Sequence, residues 1–239
     1  MKQFIKKILL INQIKILIGE KNYDKIKHFL RFYGLHFFGY EVSNNIYFGD
    51  KEADNYFLQK LKTSKLYLEY GCGSSTIVAK KFNVNFYSIE GDKNFYRYMK
   101  NIIKDTRLIY KSLGVVKYYS VPIENDFAPV NKTSKKMKDL IHEYTSGIIK
   151  YFDEKKIYPD LILIDGRYRV LCALFLYNFL RNKNYEFNII IDDYFDRPFY
   201  QVLDNYFEII KVGRLGVATK IKYRESINED INKYYLDCR

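Results

Sequence analysis

The sequence predicts an α/β fold: a seven-stranded, mostly parallel sheet with a terminal antiparallel hairpin, helices on both faces, and an N-terminal helical extension. Three observations lead there. From residue 64 onward, short apolar runs of strand length alternate with segments of helical spacing, the pattern of a sheet crossed over by helices. Asp160-Leu161-Ile162-Leu163-Ile164-Asp165-Gly166 is apolar between its ends, as a strand buried on both faces is. The last two strands, Glu208–Val212 and Gly216–Ile221, are joined by Gly213-Arg214-Leu215 alone. So short a link permits only an antiparallel pair.

The elements follow in order. Residues 1–34 read as two helices divided near Gly19, with Phe4, Ile5, Ile8 and Leu9 on an apolar face beside lysines. That face can dock on the domain, form the seam of a homodimer, or make weak peripheral contact with an anionic membrane. Residues 35–50 are irregular, with a strand-like Ile46-Tyr47-Phe48. Residues 1–50 are thus a basic extension, 51–222 the main domain and 223–239 a tail. Within the domain, Lys51–Leu61 has helical spacing, Leu66–Tyr70 is the first strand and Ser75–Phe82 its helix. Asn85–Glu90 is the second strand, Lys93–Ile103 a helix and Val115–Val121 the third strand. A polar, turn-rich loop fills 124–136, a length usually reserved for function or motion. Met137–Phe152 is helical and leads to the fourth strand, ending at Asp165. Helix Val170–Leu180, strand Phe187–Asp193 and helix Pro198–Tyr206 then lead into the hairpin.

Composition bounds the function. The chain has 239 residues, 48% of them hydrophobic, enough to bury one α/β core and too many for a disordered chain. Cys72, Cys172 and Cys238 have neither metal-ligand nor disulfide spacing, which excludes a disulfide scaffold and suits a reducing cytosol. The apolar run after Met1 is interrupted by Asn12, Gln13 and Lys15, so it predicts neither a secretory signal nor a membrane span. The expected location is cytoplasmic, peripheral at the inner membrane surface if residues 1–34 attach there. A net charge of +12 invites an anionic partner: nucleic acid, a membrane, or a phosphorylated substrate. It also follows from the Lys-, Ile-, Asn- and Tyr-rich composition of AT-rich coding sequence.

The chain is organised around Glu69-Tyr70-Gly71-Cys72-Gly73-Ser74-Ser75-Thr76. An apolar strand ends in Gly-x-Gly, and a helix begins at once. Glycines allow a sharp turn and close ligand approach, while the new helix points free N–H groups into the turn. Ser74, Ser75 and Thr76 either bind a ligand carboxylate or cap the helix. Nineteen residues beyond Gly71, Glu90 ends the second strand and Gly91 follows it. An acid at that place in an open α/β sheet hydrogen-bonds a ribose hydroxyl pair.

With Glu69 two residues before Gly-x-Gly, Glu90 ending the second strand, and the closing hairpin, residues from about 50 to about 222 resemble the class I S-adenosylmethionine-dependent methyltransferases. The hairpin, and Thr76 in place of a third glycine, distinguish the chain from nicotinamide-binding domains. The resemblance implies S-adenosylmethionine as cofactor, held by Glu69, Gly71, Gly73, Ser74, Ser75, Thr76, Glu90 and Gly91. That cofactor is cationic and lacks a pyrophosphate, so a carboxylate such as Glu69 can pair its amino group.

A second acidic group ends strands four and five: Asp165, Asp192 and Asp193. Like charges brought together need a cation or a proton, and oxygen-only ligands suit Mg²⁺, Mn²⁺ or Ca²⁺. The arrangement resembles the metal-dependent small-molecule and sugar O-methyltransferases, which implies Mg²⁺ on Asp165, Asp192 and Asp193, with Asp165 catalytic. The alternative is ordinary strand-end turns. Arg167, Arg169 and Tyr194 stand beside these acids as candidate substrate-binding residues. The arginines suit an anionic acceptor or pair with Asp192, Asp193 or Asp196. Asp165-Gly166-Arg167-Tyr168-Arg169 also resembles a motif of uncharacterised bacterial proteins, which supports the fold and names no substrate. His142 and Tyr144, on the helix before strand four, are candidate general bases; the alternative for His142 is a packing histidine.

The expectation is an enzyme transferring a methyl group to a hydroxyl of a small molecule or glycan precursor, divalent metal assisting. Two alternatives stand beside it. One is an RNA methyltransferase, encouraged by charge and opposed by the lack of an Asn/Asp-Pro-Pro-Tyr run after strand four. The other is a non-catalytic, membrane-associated module that keeps the fold.

Overall fold

The structure is a computed structural model that describes residues 42–113, 135–235 and 237. The expected helices in 1–34, the strand at 115–121, the loop at 124–134 and Cys238 lie outside these residues. Helix α1 (Lys51–Thr63) leads into β1 (Tyr67–Tyr70), α2 (Ser74–Lys81), β2 (Phe86–Glu90), α3 (Lys93–Ile103) and β3 (Leu108–Tyr110). Then come α4 (Lys135–Lys155), β4 (Leu161–Ile164), α5 (Arg169–Leu180) and β5 (Asn188–Ile191). A 3₁₀ helix (Pro198–Asn205), β6 (Phe207–Val212), β7 (Leu215–Ile221) and α6 (Asn228–Tyr234) complete the described chain. No helix among the described residues is long and apolar enough to cross a membrane.

The sheet has seven strands in the order β3-β2-β1-β4-β5-β7-β6. Strands β1 to β5 pair in parallel, and β7 runs antiparallel to both β5 and β6. The expected fold is therefore present. One strand differs in position: the third is Leu108–Tyr110, ahead of the expected run. It is only three residues long, too short for alternation to show. Lys104 enters the left-handed region at φ 50° to end α3. Asp105 then accepts from the Arg107 amide at 2.9 Å and turns the chain into the sheet.

Local sequence accounts for the other elements. Asp50 caps α1 by accepting from the amides of Glu52 and Ala53, and Asp92 caps α3 through Asn94 and Phe95. Ala53, Phe57 and Leu61 form one buried stripe of α1. They pack with Tyr67, Phe86, Met99, Leu161, Leu163 and Val217 beneath one sheet face. Helix α5 is buried almost all round and covers the other face with α4. Each fully buried Leu or Phe side chain contributes about 1.5–3 kcal/mol. Residues 42–50, read as part of a separate extension, join this core: Ile46 is buried, and Val42 and Phe48 pack against it. The expected tail also carries a helix, α6, whose Tyr234 is buried together with Ile227 just before it.

Parallel register brings the ends of β1, β2, β4 and β5 to one edge. Ile164 pairs with Tyr70 and with Ile191. Because β6 runs in the same sense as β5, with β7 antiparallel between them, the hairpin tip Gly213-Arg214 reaches that edge as well.

Candidate functional site

A cavity of about 370 Å³ opens along this edge. The turn Gly71–Ser75 forms one wall, Asp165 and Asp192 the facing one, and Tyr47–Gly49 with Arg214 the rim.

The two glycines of the turn serve different ends. Gly71 has φ 93°, and a Cβ there would stand 2.8 Å from the Gly166 backbone. Gly166 is equally tight, since its own Cβ would meet the Tyr144 hydroxyl and the Gly71 amide. This pair lets the turns after β1 and β4 touch backbone to backbone. A Cβ on Gly73, by contrast, would meet nothing within 4 Å. Gly73 thus leaves open space beside the first amides of α2, where a ligand can approach the backbone.

Glu69 sits differently from expectation. It is wholly buried and does not line the cavity. Its Oε2 accepts from the Tyr67 hydroxyl at 2.7 Å and from Ser75, and its Oε1 from Thr76. Thr76 Oγ1 also accepts from the Gly73 amide at 3.0 Å, closing a cap on α2. Ser75 and Thr76 are therefore committed to Glu69 and the helix cap, and only Ser74 and Ser75 of the three hydroxyl residues touch the cavity. Burial pushes the Glu69 carboxyl above the ordinary range, against the opposing pull of its hydroxyl donors.

Glu90 follows the same plan. Its Oε2 accepts from the Cys72 amide at 3.2 Å and from the Cys72 thiol, and its Oε1 from the Asp92 amide at 2.7 Å. The carboxylate ties the Gly-x-Gly turn to the end of β2. Gly91 beside it is buried, and neither residue lines the cavity. Burial raises the Glu90 carboxyl and, together with Glu90, the Cys72 thiol.

On the facing wall, the three expected acids do come together, but with arginines among them. Arg169 is buried and grips four groups: the carbonyls of Gly166, Asp192 and Asp165, and Asp165 Oδ1 at 2.8 Å. Its Nη1 also lies 3.8 Å from Asp192 Oδ2 and 3.6 Å from Asp193 Oδ2. Arg197 reaches Asp193 Oδ2 at 2.5 Å. Arg214, at the hairpin tip, stands 3.1 Å from Asp192 Oδ1, contacts Asp193 Oδ1, and donates to the Phe48 carbonyl at 2.8 Å. Its Nε and Asp192 Oδ1 are buried without an aligned hydrogen bond, so that contact is ionic. Burial, with Asp165 nearby, pushes the Asp192 carboxyl up to about 6 despite Arg169 and Arg214.

Several expected roles are thereby corrected. The acids do not form a metal-ligand set: among the described residues no group of His, Cys, Asp and Glu could hold a metal ion. Guanidinium groups take up the carboxylate oxygens that a Mg²⁺ ion would need, so the residues present do not fit it. Arg169 is a clamp between the ends of β4 and β5 and has no free fork for an anionic acceptor. Arg167 donates its amide to Tyr144 at 3.3 Å, and its side chain lies off the cavity. Tyr194 is fully buried, bonded to Asp204 at 2.9 Å and packed over Gly216. His142 meets the Tyr235 hydroxyl at 2.7 Å and the edge of Phe175, also off the cavity. Asp165, with its side chain 40% exposed, keeps its place on the wall.

Sequence reasoning missed Arg214 and the Tyr47–Gly49 rim. Arg214 is placed only by the strand order, which carries the hairpin tip to the ligand edge. Tyr47, 79% exposed at the rim, had as its one signal an aromatic pair before Gly49-Asp50.

No protein-family model matches the sequence, and no curated protein matches it. Among solved structures, a methyltransferase-like protein from Silicibacter pomeroyi DSS-3 is similar to it, with a TM-score of 0.62 and 20% identity over 82% of this chain and 100% of that one. At that identity the likeness is one of fold: the chain has the seven-stranded α/β fold of a methyltransferase-like protein.

Proposed function

We propose that the protein is an S-adenosylmethionine-dependent methyltransferase acting on a hydroxyl of a small molecule or glycan precursor. The observation that carries this reading is the cavity between the Gly-x-Gly turn, open at Gly73, and the carboxylates of Asp165 and Asp192. The methyl donor would lie along Gly71–Ser75, its carboxylate toward the first amides of α2. Its ammonium and sulfonium charges would face Asp165, whose side chain is 40% exposed on the cavity wall; Glu69 is spent within the protein. Transfer would proceed by in-line displacement: the acceptor oxygen bonds the methyl carbon as the carbon–sulfur bond breaks, and the acceptor's proton leaves to a base. Asp192 and Asp165 stand on the cavity wall where such a proton could go, which His142 does not. Positioning of the two reactants supplies the rest.

Isothermal titration of the full chain with S-adenosylmethionine and with S-adenosylhomocysteine tests this. Binding is expected for wild type and is expected to be lost in Gly73→Val, whose Cβ enters the open space. Failure of wild type to bind either compound overturns the reading.

A further inference from the structure

We propose that the Arg214 guanidinium acts as a built-in cation between Asp192 and Asp193, occupying the role a divalent metal would have and keeping this edge of the sheet metal-independent. The inference stands apart from the methyl-donor reading, since neither cofactor nor acceptor enters its argument or its tests.

The charge balance argues for it first. Asp165, Asp192 and Asp193 bring three negative charges, and Arg169, Arg197 and Arg214 bring three positive ones. A balanced cluster has no surplus charge to draw a dication out of water. Geometry argues for it second. The two Oδ1 atoms of Asp192 and Asp193 both turn to Arg214, while both Oδ2 atoms face Arg169 or Arg197. Asp193 is held in the left-handed region at φ 60°, a conformation aspartate tolerates, and this aims its carboxylate beside that of Asp192.

The hairpin then adds what a metal could not. Arg214 also donates to the Phe48 carbonyl. Gly213, at φ 56°, has no room for a Cβ because the Asp50 carboxylate lies 2.6 Å from where it would sit. The hairpin tip is thus packed against the start of α1, and the same guanidinium that neutralises the acids fixes the cavity rim. Arg214 is accordingly a positioning residue, joined to two aspartates and one backbone carbonyl.

Mn²⁺ binding, followed by electron paramagnetic resonance and calorimetry on the full chain, tests the proposal. Wild type is expected to show no specific Mn²⁺ site, and EDTA is expected to leave its melting temperature unchanged. Arg214→Gln removes the cation and leaves two carboxylate oxygens facing one gap. It is expected to bind one Mn²⁺ at least about tenfold more tightly than wild type, and the added substitution Asp193→Asn should abolish that gain. Arg214→Lys keeps the charge and should gain no site. A folded Arg214→Gln protein with no Mn²⁺ gain overturns the proposal. So does a wild-type Mn²⁺ site that disappears in Asp192→Asn, which decides the matter even if Arg214→Gln fails to fold.

Discussion

The two walls of the cavity hold their carboxylates by opposite means. Glu69 and Glu90 receive only neutral donors: hydroxyls, a thiol and backbone amides. Asp165, Asp192 and Asp193 receive guanidinium groups. The neutral donors are short and local, so the first wall is a rigid turn whose shape follows from residues 67–92. The arginines come from α5, the 3₁₀ region and the hairpin tip, so the second wall exists only when distant elements have assembled. One wall is thus set by the local chain, the other by tertiary structure, and substitutions should separate them.

The largest effect should come from the contact where the walls meet. Gly71→Ala places a Cβ 2.8 Å from the Gly166 backbone at a φ of 93°, which costs about 4 kcal/mol or more. Gly73→Ala, two residues on, enters open space and should cost less than about 1 kcal/mol. Chemical denaturation of both proteins checks the difference. Equal losses would mean that the two glycines share one structural role, contrary to the geometry.

Next in size is the neutral wall itself. Glu69→Ala leaves the Tyr67, Ser75 and Thr76 hydroxyls buried without their acceptor, a loss of about 3 kcal/mol. Glu69→Gln keeps an acceptor oxygen and should lose roughly half as much. If the two variants prove equally unstable, the negative charge rather than the acceptor geometry holds this turn.

How much of this was legible in the residues follows the same division. Strands β1, β2, β4 and β5, and the closing hairpin, show in apolar runs and a short link, because burial on both faces leaves a local mark. Strand β3 left none: three residues after a left-handed turn have no period. Helix α6 was read as a tail because Ile227, Ile231 and Tyr234 are too few for a pattern. At the site, the acids at the strand ends were legible as residues, but their partners were not. Arg169 and Arg197 stand four residues after Asp165 and Asp193, a spacing that can be read along the chain. Arg214 cannot be read so, since a strand order must first carry it across the sheet. Glu69 misled because the same acid serves a ligand ammonium or three hydroxyls, and only the packing of α2 decides between them.

The smallest effects are in pH dependence, where burial and pairing pull opposite ways. Asp192 has its folded pKa raised to about 6 by burial and by Asp165, above its unfolded value. The groups facing it are Asp165, Asp193, Arg169 and Arg214. The stability linked to its protonated form is fully present below the unfolded value of about 4 and is lost as pH rises to about 6, by on the order of 2 kcal/mol. Asp105 is the counter-case. Its bidentate pair with Arg107, stacked over Phe86, holds its carboxyl well below the usual range. Its contribution is present above about pH 4 and is lost only as pH falls below that. Asp192→Asn should therefore flatten the stability curve between about pH 4 and 6, and Asp105→Asn should flatten it below about pH 4. Urea midpoints measured from pH 3 to 8 separate the two windows. If Asp192→Asn leaves the upper window unchanged, Arg214 and Arg169 hold that carboxylate ionised, and the two walls differ less in electrostatics than in the origin of their donors.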